Sequence, residues 1–412
     1  MKAAIRQITA DKMIALTILV SALGYFVDIF DLLLFSIVRM QSLRDLGVAE
    51  TDLLTVGIRL LNLQMAGLLL GGIAWGVIGD KYGRLSVLFG SILLYSVANI
   101  ANGFVATVDQ YALWRFITGF GLAGELGIGV TLASELLPRT SRGLGTTFIA
   151  TIGVSGATFA AVLADMTGWR TAYIIGGIMG LCLLALRVKA RESGLYKKIS
   201  GNKKPVQRGN LLLFFKKPVL LARYAAVVLI GAPLWAMVGI FITFTPEFAK
   251  DFGMTVLPTA GKAVFYCYLG LVFGDFFSGI LSQHFSSRRK SVAVSLSLLV
   301  LFTGLFVTVR TESLAVYYGF CGLMGFGAGY WAMFVQMGAE QFGTNLRATA
   351  ATSIPNIVRG LTIPIAASFQ GLIPYLGVTG SGIAVMAVTV TLAALALWSI
   401  RETFHADLDY TD

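Results

Sequence analysis

Residues 24 to 35 read GYFVDIFDLLLF, an apolar run interrupted only by Asp28 and Asp31. Two helical residues at i and i+3 share a face, about 60° apart around the axis. A carboxylate in a cavity of low dielectric can load and release a proton near neutral pH, and two within reach of each other titrate as a unit. Four more charged residues lie deep in apolar runs: Arg115, Glu125, Asp275 and Arg359. Arginine hardly ever deprotonates, so it cannot carry a proton, but its planar fork grips a carboxylate or a phosphate. Asp28, Asp31 and Glu125 are therefore expected to couple protons, and Arg115 and Arg359 to hold an anionic substrate. Arg115 has a competing role as the counter-charge of a buried acid such as Glu125, because buried charges commonly pair. Asp275 is either a proton site or a structural partner, with the structural role favoured. Arg59 and Lys262 lie near run ends, where long side chains snorkel to the surface.

Such groups need elements that keep them out of lipid, and the composition says which. The chain has 412 residues, 56% hydrophobic and 13% charged, where a soluble domain keeps about a quarter of its residues charged. This is the composition of a membrane protein. The net charge of +11 sits mostly in short connectors, without the basic face and interleaved aromatics of a nucleic-acid binder. Two histidines and three cysteines, Cys182, Cys267 and Cys321, all three inside apolar runs, give no metal spacing and no disulfide pattern. No cofactor is expected.

A span needs about 20 mostly apolar residues. Runs fall near 13–38, 55–79, 85–106, 109–136, 143–164 and 170–188, then near 219–245, 259–283, 291–309, 313–338, 348–375 and 379–400. The expected fold is an all-α membrane protein of twelve transmembrane helices in two six-helix halves. The N-terminal bundle is residues 1–188, a basic linker is 189–218, the C-terminal bundle is 219–400 and a short tail is 401–412. Basic residues crowd the linker and the connectors on its side, so the positive-inside rule puts both termini and the linker in the cytoplasm of an inner-membrane protein. The halves also repeat. SELLPRTSRGLGTT (134–147) and AEQFGTNLRATAAT (339–352) each set a glutamate seven residues before an arginine, as expected of carriers built from parallel repeats with substrate bound between them.

The stretch GGIAWGVIGDKYGRLSVL (71–88) resembles the signature loop of the major facilitator superfamily, and SGILSQHFSSRRK (278–290) resembles a degraded copy with Gln283 in place of the acid. RFITGFGLAGELGIGVTLASELLPRTSRG (115–143) is similar to the fourth-span motif of its proton-coupled organic-acid branches, which include sialic acid, aromatic acid and nicotinate carriers. The Asp28-x-x-Asp31 pair matches the D-x-x-D of several of those branches. The resemblance implies a cytoplasmic latch formed by the Asp80/Arg84 turn with the pairs Glu135/Arg142 and Glu340/Arg347, and it implies gating roles for all six.

Tyr25, Trp235, Tyr266, Tyr330, Trp331 and Asn356 stand at midspan depth and are candidate pocket residues. Span seven, LIGAPLWAMVGIFITFTP, lacks the amide cluster of the superfamily's sugar carriers, which argues against a neutral hexose. The leading expectation is a monomeric, proton-coupled importer of a small organic anion, with substrate, protons and the lipid bilayer as its partners and no nucleic acid. An exporter of a drug-like compound or a siderophore is the rival, weakened because span five lacks the Gly-Pro element of the drug antiporters. A membrane-embedded enzyme is a more distant alternative, because no nucleophile elbow, H-E-x-x-H or phosphate loop is present.

Overall fold

The structure, a computed structural model, describes residues 12–82, 84–124, 142–192, 217–343 and 346–404. Every described element is helical. In the first half these are α1 (Lys12–Asp45), α2 (Leu53–Tyr82), α3 (Arg84–Asn102), α4 (Val108–Leu122), α5 (Arg142–Thr167) and α6 (Trp169–Glu192). The second half holds α7 (Pro218–Ala236), a π-turn (Met237–Ile242), α8 (Thr245–Asp251), α9 (Ala260–His284), α10 (Arg288–Thr308), α11 (Leu314–Ala328), α12 (Trp331–Glu340), α13 (Arg347–Gly360) and α14 (Thr362–Ser399). Seven of the described helices are long and apolar enough to cross a membrane. Within the described residues each apolar run read from the sequence falls on a helix or an interrupted pair of helices, and the second part of the run 109–136 lies outside them. The interruptions have local causes. Pro233 stands in α7 just before the π-turn, and Gly377 in α14 takes φ 68°, kinking that helix between the apolar runs 348–375 and 379–400.

The bundle has two ends. The distal end carries connectors 46–52, 103–107 and 252–259, and the proximal end carries 285–287 and 400–404. Within the first half α1 lies along α5, α2 along α4 and α3 along α6. In the second half α7 lies along α13 and α14, and α9 along α11. Between halves, α5 meets α9, and α2 meets α13 and α14.

Helices in lipid gain no hydrophobic drive from one another, so close backbone approach does the packing. A Cβ on Gly67 would lie 2.1 Å from the Phe116 carbonyl oxygen, and one on Gly71 would lie 2.3 Å from that of Phe120. In the second half Gly270 and Gly274 meet the carbonyls of Gly322 and Phe326 in the same way, at 1.9 and 2.2 Å. Two glycines four residues apart thus meet two carbonyls four residues apart in each half. This seam is the internal repeat in atomic terms. Only glycine fits there.

Candidate functional site

Arg359 on α13 is 1% exposed, and its guanidinium lies 5.6 Å from the Trp235 ring centroid and 5.9 Å from that of Trp331. The two indoles stand edge to face, 6.4 Å and 73° apart. Trp235 comes from α7, two residues after its proline, and Trp331 opens α12. Asp28, 1% exposed on α1 of the other half, lies within electrostatic reach of Arg359, as do Tyr25 and Tyr268. The Tyr25 hydroxyl also comes within hydrogen-bonding reach of the Trp331 side chain. Among the described residues, Arg359 Nε and Nη1 and Trp235 Nε1 are buried donors without an acceptor. An unpaired donor at this depth is expensive, at about 1–3 kcal/mol and more for a charged group. Arg359 thus stands between two indoles of its own half, with Asp28 and Tyr25 of the other half within reach.

Asp31 takes a different environment from Asp28. A Cβ on Gly176 of α6 would lie 2.8 Å from Asp31 Oδ1, and Asp31 is within electrostatic reach of Tyr173. Arg115, fully buried, joins this second cluster. It donates to Gln64 Oε1 and, at 3.3 Å, to the Tyr173 hydroxyl, and it stacks over the Phe35 ring at 5.0 Å. Tyr173 and Tyr111 share a hydroxyl bond of 2.8 Å. The i, i+3 spacing placed both acids on one face. That face spans two neighbourhoods: one at the junction of the halves, one inside the first half.

Among the described residues no group of three His, Cys, Asp or Glu is placed to hold a metal. The model of the Major Facilitator Superfamily matches residues 13–367. The chain belongs to the major facilitator superfamily. The sialic acid transporter NanX of Escherichia coli (strain K12) is 26% identical over 394 residues, which is 91% of this chain and 90% of that protein. The 4-hydroxybenzoate transporter PcaK of Pseudomonas putida is 30% identical over 141 residues, 33% of this chain and 32% of that one. The crystal structure of a D-xylose–proton symporter superposes with a TM-score of 0.70 at 16% identity, covering 97% of this chain and 100% of that chain. The last likeness speaks to the fold. The chain is thus a membrane transporter and not an enzyme.

The remaining candidate residues of this superfamily member fall as follows. Asn356 Nδ2 donates to the Ala123 carbonyl at 3.4 Å across the halves, beside Gly72. Tyr330 donates to the Ile230 carbonyl at 3.0 Å and braces α7. Tyr266, 41% exposed, stacks on Tyr318 at the bundle surface, apart from the Arg359 group. Tyr268, two residues on, faces Arg359 instead. Asp275 Oδ1 accepts from the Ala332 amide at 3.1 Å. Glu340 Oε2 lies 3.5 Å from Arg288 Nε and accepts from Thr403 at 2.7 Å, all within the second half. Glu125 and Glu135, and the side chains of Asp80, Arg84, Arg142 and Arg347, lie outside the described residues.

One pair escaped the sequence reading. Arg39, wholly buried on α1, donates from Nη2 to both oxygens of Glu247 on α8, at 2.6 and 2.8 Å, and lies 4.6 Å from the Phe244 ring. Beside it Thr243 donates to Ser36 at 3.1 Å. These contacts join the halves at the distal end. Arg39 directly follows the apolar run 13–38, where a basic residue has an ordinary place at a span end, whereas α1 continues to Asp45 and leaves it inside. Gln64, Tyr111 and Tyr173 were also passed over, because one amide or hydroxyl in an apolar run carries no periodic signal.

Proposed function

We propose that this chain is a proton-coupled symporter importing a small organic anion by alternating access. On this reading twelve spans cross the inner membrane, both termini face the cytoplasm and the monomer is the working unit. The observation that carries the reading is Arg359. It is a buried guanidinium between two indoles with unpaired donors, at the junction of the halves and within reach of a carboxylate from the opposite one. Arg359 takes the substrate's anionic group, the Trp235 and Trp331 rings take its body, and Asp28 is the proton site that senses whether Arg359 is occupied. Arg115, already engaged by Gln64 and Tyr173, serves as the internal counter-charge near Asp31. The names of the two curated relatives, which transport sialic acid and 4-hydroxybenzoate, support an acid as substrate. With the distal end outside, the Arg39–Glu247 pair closes the carrier to the exterior, and Asp80, Arg84, Glu135, Arg142, Glu340 and Arg347 gate the cytoplasmic side.

The test is uptake into proteoliposomes under an imposed pH gradient, screening carboxylates and phosphates while following internal pH. The expected result is gradient-driven anion uptake with proton influx. Coupled proton flux that survives Asp28→Asn together with Asp31→Asn would sink the coupling assignment. Anion uptake indifferent to Arg359→Ala would remove the clamp.

A further inference from the structure

In each half the fourth-span helix stops two residues past the second carbonyl of the glycine seam. In the first half α4 ends at Leu122, after Phe120, and in the second α11 ends at Ala328, after Phe326. The second half then restarts as α12 at Trp331, after Gly329 leaves the helical region at φ −72°, ψ 57°. A helix that restarts inside a membrane exposes its first N–H groups where no water can satisfy them. Here the acceptor arrives from a neighbouring helix. Gly329 packs directly on Gly274, where a Cβ would lie 2.3 Å from the Gly274 carbonyl carbon. The next residue, Asp275, receives the Ala332 amide at 3.1 Å, with the Trp331 amide also bonded to it. A carboxylate at this position satisfies the orphan donors and meets the positive end of the α12 dipole. In the first half the residue after Gly71 is Gly72, so the matching position offers no carboxylate.

We infer that Asp275 is a positioning residue, a cap supplied in trans by α9 that fixes the start of α12 and thereby holds the Trp331 indole against Arg359. Its relevance to transport rests on the reading proposed above. The structural claim stands apart from it. Trp331 is the residue through which this cap reaches the site: its backbone is held by Asp275, its ring faces Arg359 and Trp235, and its side chain meets Tyr25 of the other half. Asp275 acts here as an acceptor, so an isosteric amide oxygen can replace it and a methyl group cannot.

The experiment uses the full chain in detergent and needs no transported solute, so a failed uptake screen leaves its outcome intact. Hydrogen exchange is followed by mass spectrometry for peptides covering 329–336, with α10 as the internal comparison. Asp275→Ala should speed exchange in 329–336 about tenfold, as loss of an ordinary helix cap does, and Asp275→Asn should restore most of the protection. In parallel, tryptophan emission should shift in Asp275→Ala, and that shift should vanish when the same substitution is made in a Trp331→Phe background. Unchanged exchange in 329–336, or an equal rise across α10, overturns the inference. So does an emission change that persists without Trp331.

Discussion

Replacing Arg39 with glutamine should open the distal end of the bundle, and the structure bounds the effect. The substitution removes two charge-assisted hydrogen bonds to Glu247 and the contact with the Phe244 ring. Breaking a buried ion pair by deleting one partner costs about 3–5 kcal/mol, because the survivor is left desolvated. Glu247 is 15% exposed, so it regains part of its hydration. A loss of about 2–3 kcal/mol is the reasonable figure. At about 1.4 kcal/mol per factor of ten, the closed-to-open ratio then falls about 30- to 150-fold. Ser36 is buried beside the pair and bonded to Thr243, so a cysteine there should react only when the end opens. The assay is alkylation of Ser36→Cys by a bulky charged maleimide, with Cys182, Cys267 and Cys321 replaced beforehand. The labelling rate follows the open fraction and should rise by the same factor in Arg39→Gln. The double neutral variant, Arg39→Gln with Glu247→Gln, should label more slowly than either single one, since no charge is stranded. A single variant that labels at the parental rate would refute the reasoning.

Three further outcomes follow from the packing. Gln64→Leu removes one of the acceptors of the buried Arg115 guanidinium, leaving it the Tyr173 hydroxyl, and should lower stability by about 1–3 kcal/mol, read as a lower Tm in detergent, whereas Tyr111→Phe should change it less. Gly71→Val puts side-chain atoms onto the Phe120 carbonyl and should abolish the folded fraction in size-exclusion chromatography. Glu402, outside the spans, is pushed up by partial burial, but hydrogen bonds from Ser287 and the amides of Arg288, Phe404 and Arg289 outweigh this and hold its carboxyl below the usual range. A lowered folded value means the docking of residues 401–404 is at full strength above about pH 4.3 and fades as pH falls through that lower value. Limited proteolysis of the tail from pH 7 to pH 3.5 should show this loss, and Glu402→Gln should flatten the profile.

The described helices were legible because hydropathy over twenty residues averages out local detail, and the starts at 53, 84 and 108 moved by only a residue or two from the apolar runs. The repeat shows in the structure as the glycine seam, Gly67 and Gly71 matching Gly270 and Gly274, whereas the Glu135, Arg142 and Arg347 side chains that mark it in the sequence lie outside the described residues. The burial of Arg359 was legible because it stands a dozen residues into an apolar run, too deep for its side chain to snorkel out. Pairings across distant helices were not legible. Nothing near Arg39 points to Glu247, some two hundred residues away, and nothing near Asp275 announces the amide of Ala332. Tyr266 and Tyr268 look alike in sequence. Only the rotation of α9 places one at the surface and the other beside Arg359.

The π-turn at Met237–Ile242 carries a consequence of its own. Its backbone bonds skip one residue further than those of an α-helix, as in Thr243 N–H to the Val238 carbonyl at 3.1 Å. Such a turn takes up one extra residue, which corresponds to about 100° of azimuth for everything that follows it. Thr243 and Glu247 therefore meet Ser36 and Arg39 because of a count rather than a composition. Deleting one residue from this turn would leave hydropathy and charge nearly untouched and swing both side chains away from α1. Chain length at this point works as a phase setting, and a single-residue deletion here should be more damaging than most substitutions.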